Sequence, residues 1–478
     1  MKRALLIACF VAAAVPAHAQ FTAFMSPDEE RKVGAQEHVN ALAENGGVYT
    51  EKGLDEYVVQ IGYTMVPNVE TPQPEWRFTL LNTPLVNAFA LPGGYVYITR
   101  GIMAIANNEA ELAGVLGHEM GHVTARHSAQ RYSKAVATQI GAGLAGVLGS
   151  LLLGTSAVGD IVSQGGALYL QKGSREQEDE ADGLGLKTIA RTGYAPQAMP
   201  AFLQTLNDDT ALTMKMLGRP GGELEFNMIQ THPRTVDRVE RTMTELGAVQ
   251  GGQIYRRDAY LDRIDGMLYG DTPDQGFIRG RTFSHPDLKI GFTAPQGFYL
   301  MNGAAALTGT RPDGVRMVFD SAVDKRYART APLDYLTRVW AQNAQLQDVQ
   351  NITINGMPAA TGRAAVKASS GQMVARLVAI STGDAIYRFM FVVPPRIASQ
   401  VEPDLIRAVH TFHRLSAQEL AQLHPLRLRV LPVRQGDTEE SFARRMPYDD
   451  FQLDRFRTLN GLRPGEGIAP GQRVKIVE

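Results

Sequence analysis

His118-Glu119-Met120-Gly121-His122 is the stretch on which the reading of this 478-residue chain turns. On a helix, residues four apart lie about one turn along the same face, so both imidazoles can reach one ion. Zinc accepts neutral nitrogen and carboxylate ligands in tetrahedral geometry, and a catalytic site keeps one position for water. Glu119, next to the first imidazole, is placed to take a proton from that water. Upstream, Asn108 with Glu111 three residues later makes a capping box. It predicts a helix opening there and running through the histidines to about Ala129.

A third protein ligand is needed. His127 lies nine residues past His118, about 180° round a continuous helix, and is expected to face away. The metzincin extension would need Gly at 125 and His at 128, where this chain has Ala125 and Ser128. A carboxylate from a second helix is the alternative, and Ser174-Arg175-Glu176-Gln177-Glu178-Asp179-Glu180-Ala181-Asp182 offers it. Glu178 and Asp182 share a face. Glu178 is expected to bind the metal, and Asp182 to accept the spare N–H of a metal-bound histidine, with His118 as its expected partner. Taken alone, such a charge run reads as a solvated helix face. Glu176 and Glu180 are the alternative ligands if the register differs.

Composition bounds the rest. Apolar residues make up 44% and charged residues 20%, a globular balance over a length that implies several domains. With 48 basic against 49 acidic residues there is no basic field to hold nucleic acid. Lys2 and Arg3, the apolar Ala4 to Val15 and Ala17-His18-Ala19 read as a cleavable export signal over residues 1–19, which predicts a periplasmic protein. A lipoprotein signal ending at Cys9, the one cysteine, is the weaker fit because its apolar stretch is short.

Ser26 to Thr64 reads as helical, opened by Ser26-Pro27-Asp28-Glu29. Strands are predicted at Trp76 to Leu81, Asn87 to Leu91 and Tyr95 to Thr99, the last two joined by Pro92-Gly93-Gly94. Ala135 to Gly159 carries no charge. One membrane crossing there would put His122 and Glu178 on opposite sides, so a packed hairpin or a flap with peripheral membrane contact is expected instead. Residues 275–415 mix strand patterns with helices at Leu333 to Gln345 and from Glu402. They read as an α+β accessory domain without a catalytic cluster, used for docking. His410 and His413 there read as a packed or surface pair on one helix face. Residues 424–478 read as a small third unit.

Four blocks, in this order, carry a family resemblance. They are Asn87-Ala88-Phe89-Ala90 with Pro92-Gly93-Gly94; Glu111 to His122; Ser174-Arg175 through Glu178 to Asp182; and Thr231-His232-Pro233 followed by Arg238. The chain resembles the HtpX, CAAX-prenyl-protease and BepA group of gluzincin metallopeptidases, peptidase family forty-eight. Lacking the transmembrane helices of some members, it looks like the soluble exported branch. The resemblance implies an α+β fold: a mainly helical zinc metallopeptidase domain with a small β-sheet over 20–270, then the accessory domain. It implies one Zn2+ per chain and hydrolysis of peptide bonds in unfolded or misassembled envelope proteins. Arg238 would stabilise the negative oxygen of the tetrahedral intermediate, and His232 would assist it or hold the metal closed. Asn87, Ala88, Phe89 and Ala90 would form an edge strand for extended substrate. Residues 424–478 resemble a LysM module of strand, two helices and strand, which implies binding to peptidoglycan. The alternative is a peptidoglycan-associated scaffold or chaperone with a largely closed zinc site.

Overall fold

The computed structural model describes residues 25–71, 75–131, 173–218, 238, 241, 244, 252–303, 306–322, 324–368 and 371–478. The expected export signal, the uncharged stretch 135–159 and His232 lie outside the described residues.

Helix α1 (Pro27–Glu44) starts at Ser26, whose hydroxyl accepts from the Glu29 N–H at 3.3 Å while the Glu29 carboxylate accepts from the Ser26 N–H at 2.7 Å. The expected single helical run is broken after Glu44, and α2 (Leu54–Met65) begins anew. Strands β1 (Arg77–Leu81), β2 (Ala88–Leu91) and β3 (Tyr95–Thr99) form a sheet in the order β1-β3-β2, with β2 at its edge. A short α3 (Arg100–Ile105) leads into α4 (Glu109–Thr124), which is buried from Glu109 to Val123. Asn108 caps it, accepting from the Glu111 N–H at 2.9 Å. The Glu111 carboxylate accepts from the Asn107 N–H at 2.8 Å, one residue before the cap, so the reciprocal half of the expected capping box is not formed.

Helix α4 ends five residues earlier than its sequence pattern predicts. Arg126 turns left-handed (φ 59°), and residues 127–131 resume a helix in a new direction. Helix α5 (Arg175–Thr192), capped by Ser174, lies against α4 at very close range. A side-chain carbon on Gly121 would stand 2.7 Å from the Ala181 carbonyl oxygen, and one on Gly185 2.8 Å from the backbone of Gly117 and His118. Only glycine allows that approach, and it brings α5 within reach of the α4 histidines. Helices α6 (Ala198–Met216) and α7 (Arg257–Ile264) complete this core, in which Leu112, Leu116, Ile189 and Phe202 are all buried.

The next stretch is mixed α and β, and opens on the short strands β4 (Leu268–Tyr269), β5 (Phe277–Arg279), β6 (Thr282–His285) and β7 (Ile290–Thr293). Strands β8 (Tyr299–Asn302), β9 (Leu307–Thr310), β10 (Arg316–Ser321), β11 (Gln347–Ile354), β12 (Met357–Ala368), β13 (Gly371–Ser381) and β14 (Ile386–Val393) make a seven-stranded antiparallel sheet, order β11-β12-β13-β14-β10-β9-β8. Phe292, Phe319, Phe389 and Phe412 fill its core, with ring centroids as close as 4.7 Å. The helix expected to reach Gln345 stops at Trp340. Helix α8 (Ala398–His410) stops at His410, and His413 sits on the short strand His413–Arg414, so the two histidines do not share a helix face.

The C-terminal residues run strand, helix, helix, strand: Leu426–Pro432, Glu439–Ala443 (α9), Gln452–Asn460 (α10) and Arg473–Val477. They are not a loosely tethered unit. Leu428, Leu459 and Val477 are buried in the same core as α4, each burial worth roughly 1.5–3 kcal/mol. Lys475 is wholly buried, and its ammonium donates to the carbonyl oxygens of Ala104 (2.8 Å) and Ala106 (2.6 Å), in the turn that leads into α4. Burial pushes the Lys475 amine down, with Glu111 opposing that shift. Among the described residues no helix is long and apolar enough to cross a membrane.

At the junction of these regions, Asp209 of α6 lies near Tyr269, Tyr299 and Arg455. Burial pushes its carboxyl up to about 6, with Arg455 opposing only in part. An acid whose folded pKa is raised costs stability as pH climbs from its unfolded value, about 4, through the folded one. Asp209→Asn is therefore expected to raise stability by about 1–2 kcal/mol at pH 7.5 and hardly at all at pH 4. Thermal melts at the two pH values check this; an equal change at both would contradict it.

Candidate metal centre

Helix α4 presents His118 and His122, and α5 presents Glu178 and Asp182. All four side chains are at least 98% buried. The three candidate ligand groups converge. His118 Nε2 and His122 Nε2 are 3.1 Å apart, His118 Nε2 and Glu178 Oε2 3.5 Å, and His122 Nε2 and Glu178 Oε1 3.4 Å. Tetrahedral ligands about 2.0–2.1 Å from a zinc ion stand about 3.3–3.4 Å from each other, so this donor set has the chemistry and the spacing for one such ion. Among the described residues it is the group of histidine and carboxylate side chains able to hold a metal.

The imidazoles are oriented from behind. His118 Nδ1 meets Asp182 Oδ1 at 2.8 Å, and His122 Nδ1 meets His127 Nδ1 at 2.9 Å, which leaves both Nε2 atoms facing the shared point. His127 in turn reaches Glu180 Oε2 at 3.2 Å through its Nε2. Helix periodicity predicts His127 to face away, whereas the structure turns it onto His122. The left-handed Arg126 breaks the helix, so counting 100° per residue past Thr124 fails and the ring, only 2% exposed, turns towards the site. Glu180, 59% exposed, points to His127 and not to the ligand cluster.

Arg238 arrives from a distant part of the sequence and is 2% exposed. It grips Asp182 with two bonds, Nε to Oδ2 at 2.8 Å and Nη2 to Oδ1 at 2.7 Å, and its Nη1 stands 3.4 Å from Glu178 Oε2. Burial raises the Asp182 carboxyl, but Arg238 and His118 outweigh it and hold the group well below the usual carboxylate range. For His118, burial and Arg238 push down, while the bonds to Asp182 and Glu178 lift the imidazole to about 9. Glu119, beside His118 and 1% exposed, completes the buried set.

Two neighbours had no sequence signal. Arg131 lies where Glu178 and Glu119 both act on its charge, with Nε and Nη1 buried and without a hydrogen-bond acceptor. Ser128 is buried and donates to the carbonyl oxygen of Ala90 on β2, at 2.8 Å. Of the expected substrate strand, Ala88, Phe89 and Ala90 lie in β2 and Asn87 just before it, with Phe89 stacked on Tyr97 at 4.6 Å.

Comparison with known proteins gives the same direction. Residues 53–245 match the model described as Peptidase family M48. A beta-barrel assembly-enhancing protease of Yersinia pestis is 32% identical over 221 residues, covering 44% of this chain and 42% of that protein. Its namesake in Escherichia coli K12 is 31% identical over 194 residues, covering 38% and 39%. The mitochondrial metalloendopeptidase OMA1 of Arabidopsis thaliana is 33% identical over 196 residues, covering 40% and 36%. The chain spans about half the length of the curated relatives it matches, or less. Residues 53–245, which include the buried His118, His122 and Glu178, therefore match peptidase family M48.

Proposed function

We propose that the protein is a zinc-dependent endopeptidase that cleaves unfolded or misassembled polypeptides of the cell envelope. The observation that carries this reading is the convergence of His118, His122 and Glu178 within tetrahedral spacing, with Glu119 beside them. When bound there, zinc would acidify a water and polarise the scissile carbonyl. Glu119 takes the proton of the attacking water and returns it to the leaving amine. Asp182 and His127 hold the two imidazoles in orientation, and Arg238 holds Asp182. Arg238 Nη1, turned towards Glu178, is the cation on hand to stabilise a developing negative oxygen. His232 would add a donor or close the site. The edge of β2, at Asn87 to Ala90, takes an extended substrate by backbone pairing, which favours unfolded chains over folded ones.

The export-signal pattern at residues 1–19 supports a periplasmic location. The strand-helix-helix-strand order of 426–477 supports a LysM-like module able to touch peptidoglycan, and 275–415 a docking role. Zinc-loaded protein should cleave denatured casein and lose that activity to a chelator, with zinc restoring it. Cleavage of purified sacculi in place of casein would instead make it a cell-wall hydrolase. Binding to sacculi without cleavage of either would make it a scaffold.

A further inference from the structure

The edge strand β2 is already partly closed, by a side chain of the same chain. The Thr99 N–H donates to the Asn87 carbonyl at 3.2 Å, and the register pairs Ala88 with Ile98 and Ala90 with Val96. In an antiparallel pair, bonded and non-bonded residues alternate. Asn87, Phe89 and Leu91 therefore turn their backbone groups to β3. Ala88 and Ala90 turn theirs outward, to the side where a substrate strand would pair.

One of those outward groups is taken. The Ser128 hydroxyl donates to the Ala90 carbonyl oxygen at 2.8 Å. The direction of that bond is fixed from the other side: Arg131 Nη2 donates to Ser128 Oγ at 3.3 Å, so the hydroxyl proton is left for Ala90. Ser128 is 6% exposed and Ala90 1%, and the break at Arg126 is what swings Ser128 onto the strand. A continuous α4 would have carried it elsewhere.

Resting on the peptidase reading above, we propose that Ser128 is a specificity-determining residue, which blocks the Ala90 carbonyl so that substrate pairs with β2 through Ala88 and the Ala90 N–H only. The substrate residue opposite the Ala90 carbonyl then needs no N–H. Proline is accepted there, whereas the residue two positions away, opposite the Ala88 carbonyl, must offer an N–H.

The test uses the full zinc-loaded chain and a casein-derived peptide that spans a bond it cleaves. That peptide is resynthesised with each backbone N–H in turn replaced by an ester oxygen, which removes the donor without adding bulk. For the unaltered protein, kcat/KM should fall roughly fivefold at the position facing Ala88 and stay level at the position two residues from it. In Ser128→Ala the freed carbonyl recruits the substrate N–H, so the second position should become sensitive, also by roughly fivefold. Ser128→Thr, which keeps the hydroxyl, should retain the original profile. Zinc content equal in all three proteins shows that the site is intact. Identical ester profiles in Ser128→Ala and the unaltered protein, both cleaving, would overturn the role of Ser128 and leave the peptidase reading standing. A zinc-loaded, folded protein that cleaves no peptide would overturn both.

Discussion

Glu119→Gln is expected to lower kcat/KM on casein peptides by about a hundred- to ten-thousandfold while zinc content and melting temperature stay unchanged. The amide keeps the shape of the carboxylate, so the packing around a side chain that is 1% exposed survives. What it loses is the ability to accept a proton. Glu119 directly follows His118, is not in the ligand triangle, and can be neutralised without removing a metal ligand. Steady-state kinetics with metal analysis on the same preparation check the result. Full activity in this variant would remove Glu119 from the proton path, and loss of zinc along with activity would make it structural.

Asp182→Ala is expected to be the most destabilising single change at the site, by about 3–5 kcal/mol at neutral pH. The reason is what stays behind. Arg238, 2% exposed, would keep its charge and its longer 3.4 Å approach to Glu178 but lose both bonds to the Asp182 carboxylate, and removing one partner of a buried ion pair costs more than the pair was worth. His118 would also lose the partner of its Nδ1, which should weaken metal binding by about 10–100-fold. The pH dependence carries a sign. Because the folded Asp182 carboxyl lies below the ordinary range, its contribution is complete above about pH 4 and is lost as pH falls further. Acid titration of stability should therefore be flatter in the variant than in the unaltered protein. Denaturant unfolding at pH 7 and pH 3 checks both parts, and equal losses at the two values would contradict the buried ion pair.

Much of the metal cluster was legible because it depends on local rules. Two histidines four apart share a helix face whatever the tertiary fold, and the Asn108 and Ser174 caps mark where both helices begin. Glu178 and Asp182 follow from the same periodicity. That α4 and α5 come close enough for these groups to meet depends on Gly121 and Gly185, whose bare backbones carry that meaning only once the partner helix is known.

The misread parts have physical causes. The expectation for His127 extends a helix that Arg126 ends, and a left-handed arginine leaves no trace in the residue order. Lys475, for which the sequence pattern carries no expectation, is buried because the carbonyls of Ala104 and Ala106 offer it two acceptors. The strand patterns within 275–415 were visible. Their order across seven strands, with β10 between β14 and β9, is set by long-range pairing that no local pattern encodes.

Anomalous diffraction at the zinc edge, on crystals of the zinc-loaded protein, tests the central claim most directly. The account predicts one strong peak about 2.1 Å from His118 Nε2, His122 Nε2 and a Glu178 carboxylate oxygen, with Asp182 and His127 behind the imidazoles. A peak ligated by other residues, or zinc held by the two histidines with Glu178 turned away, would contradict it.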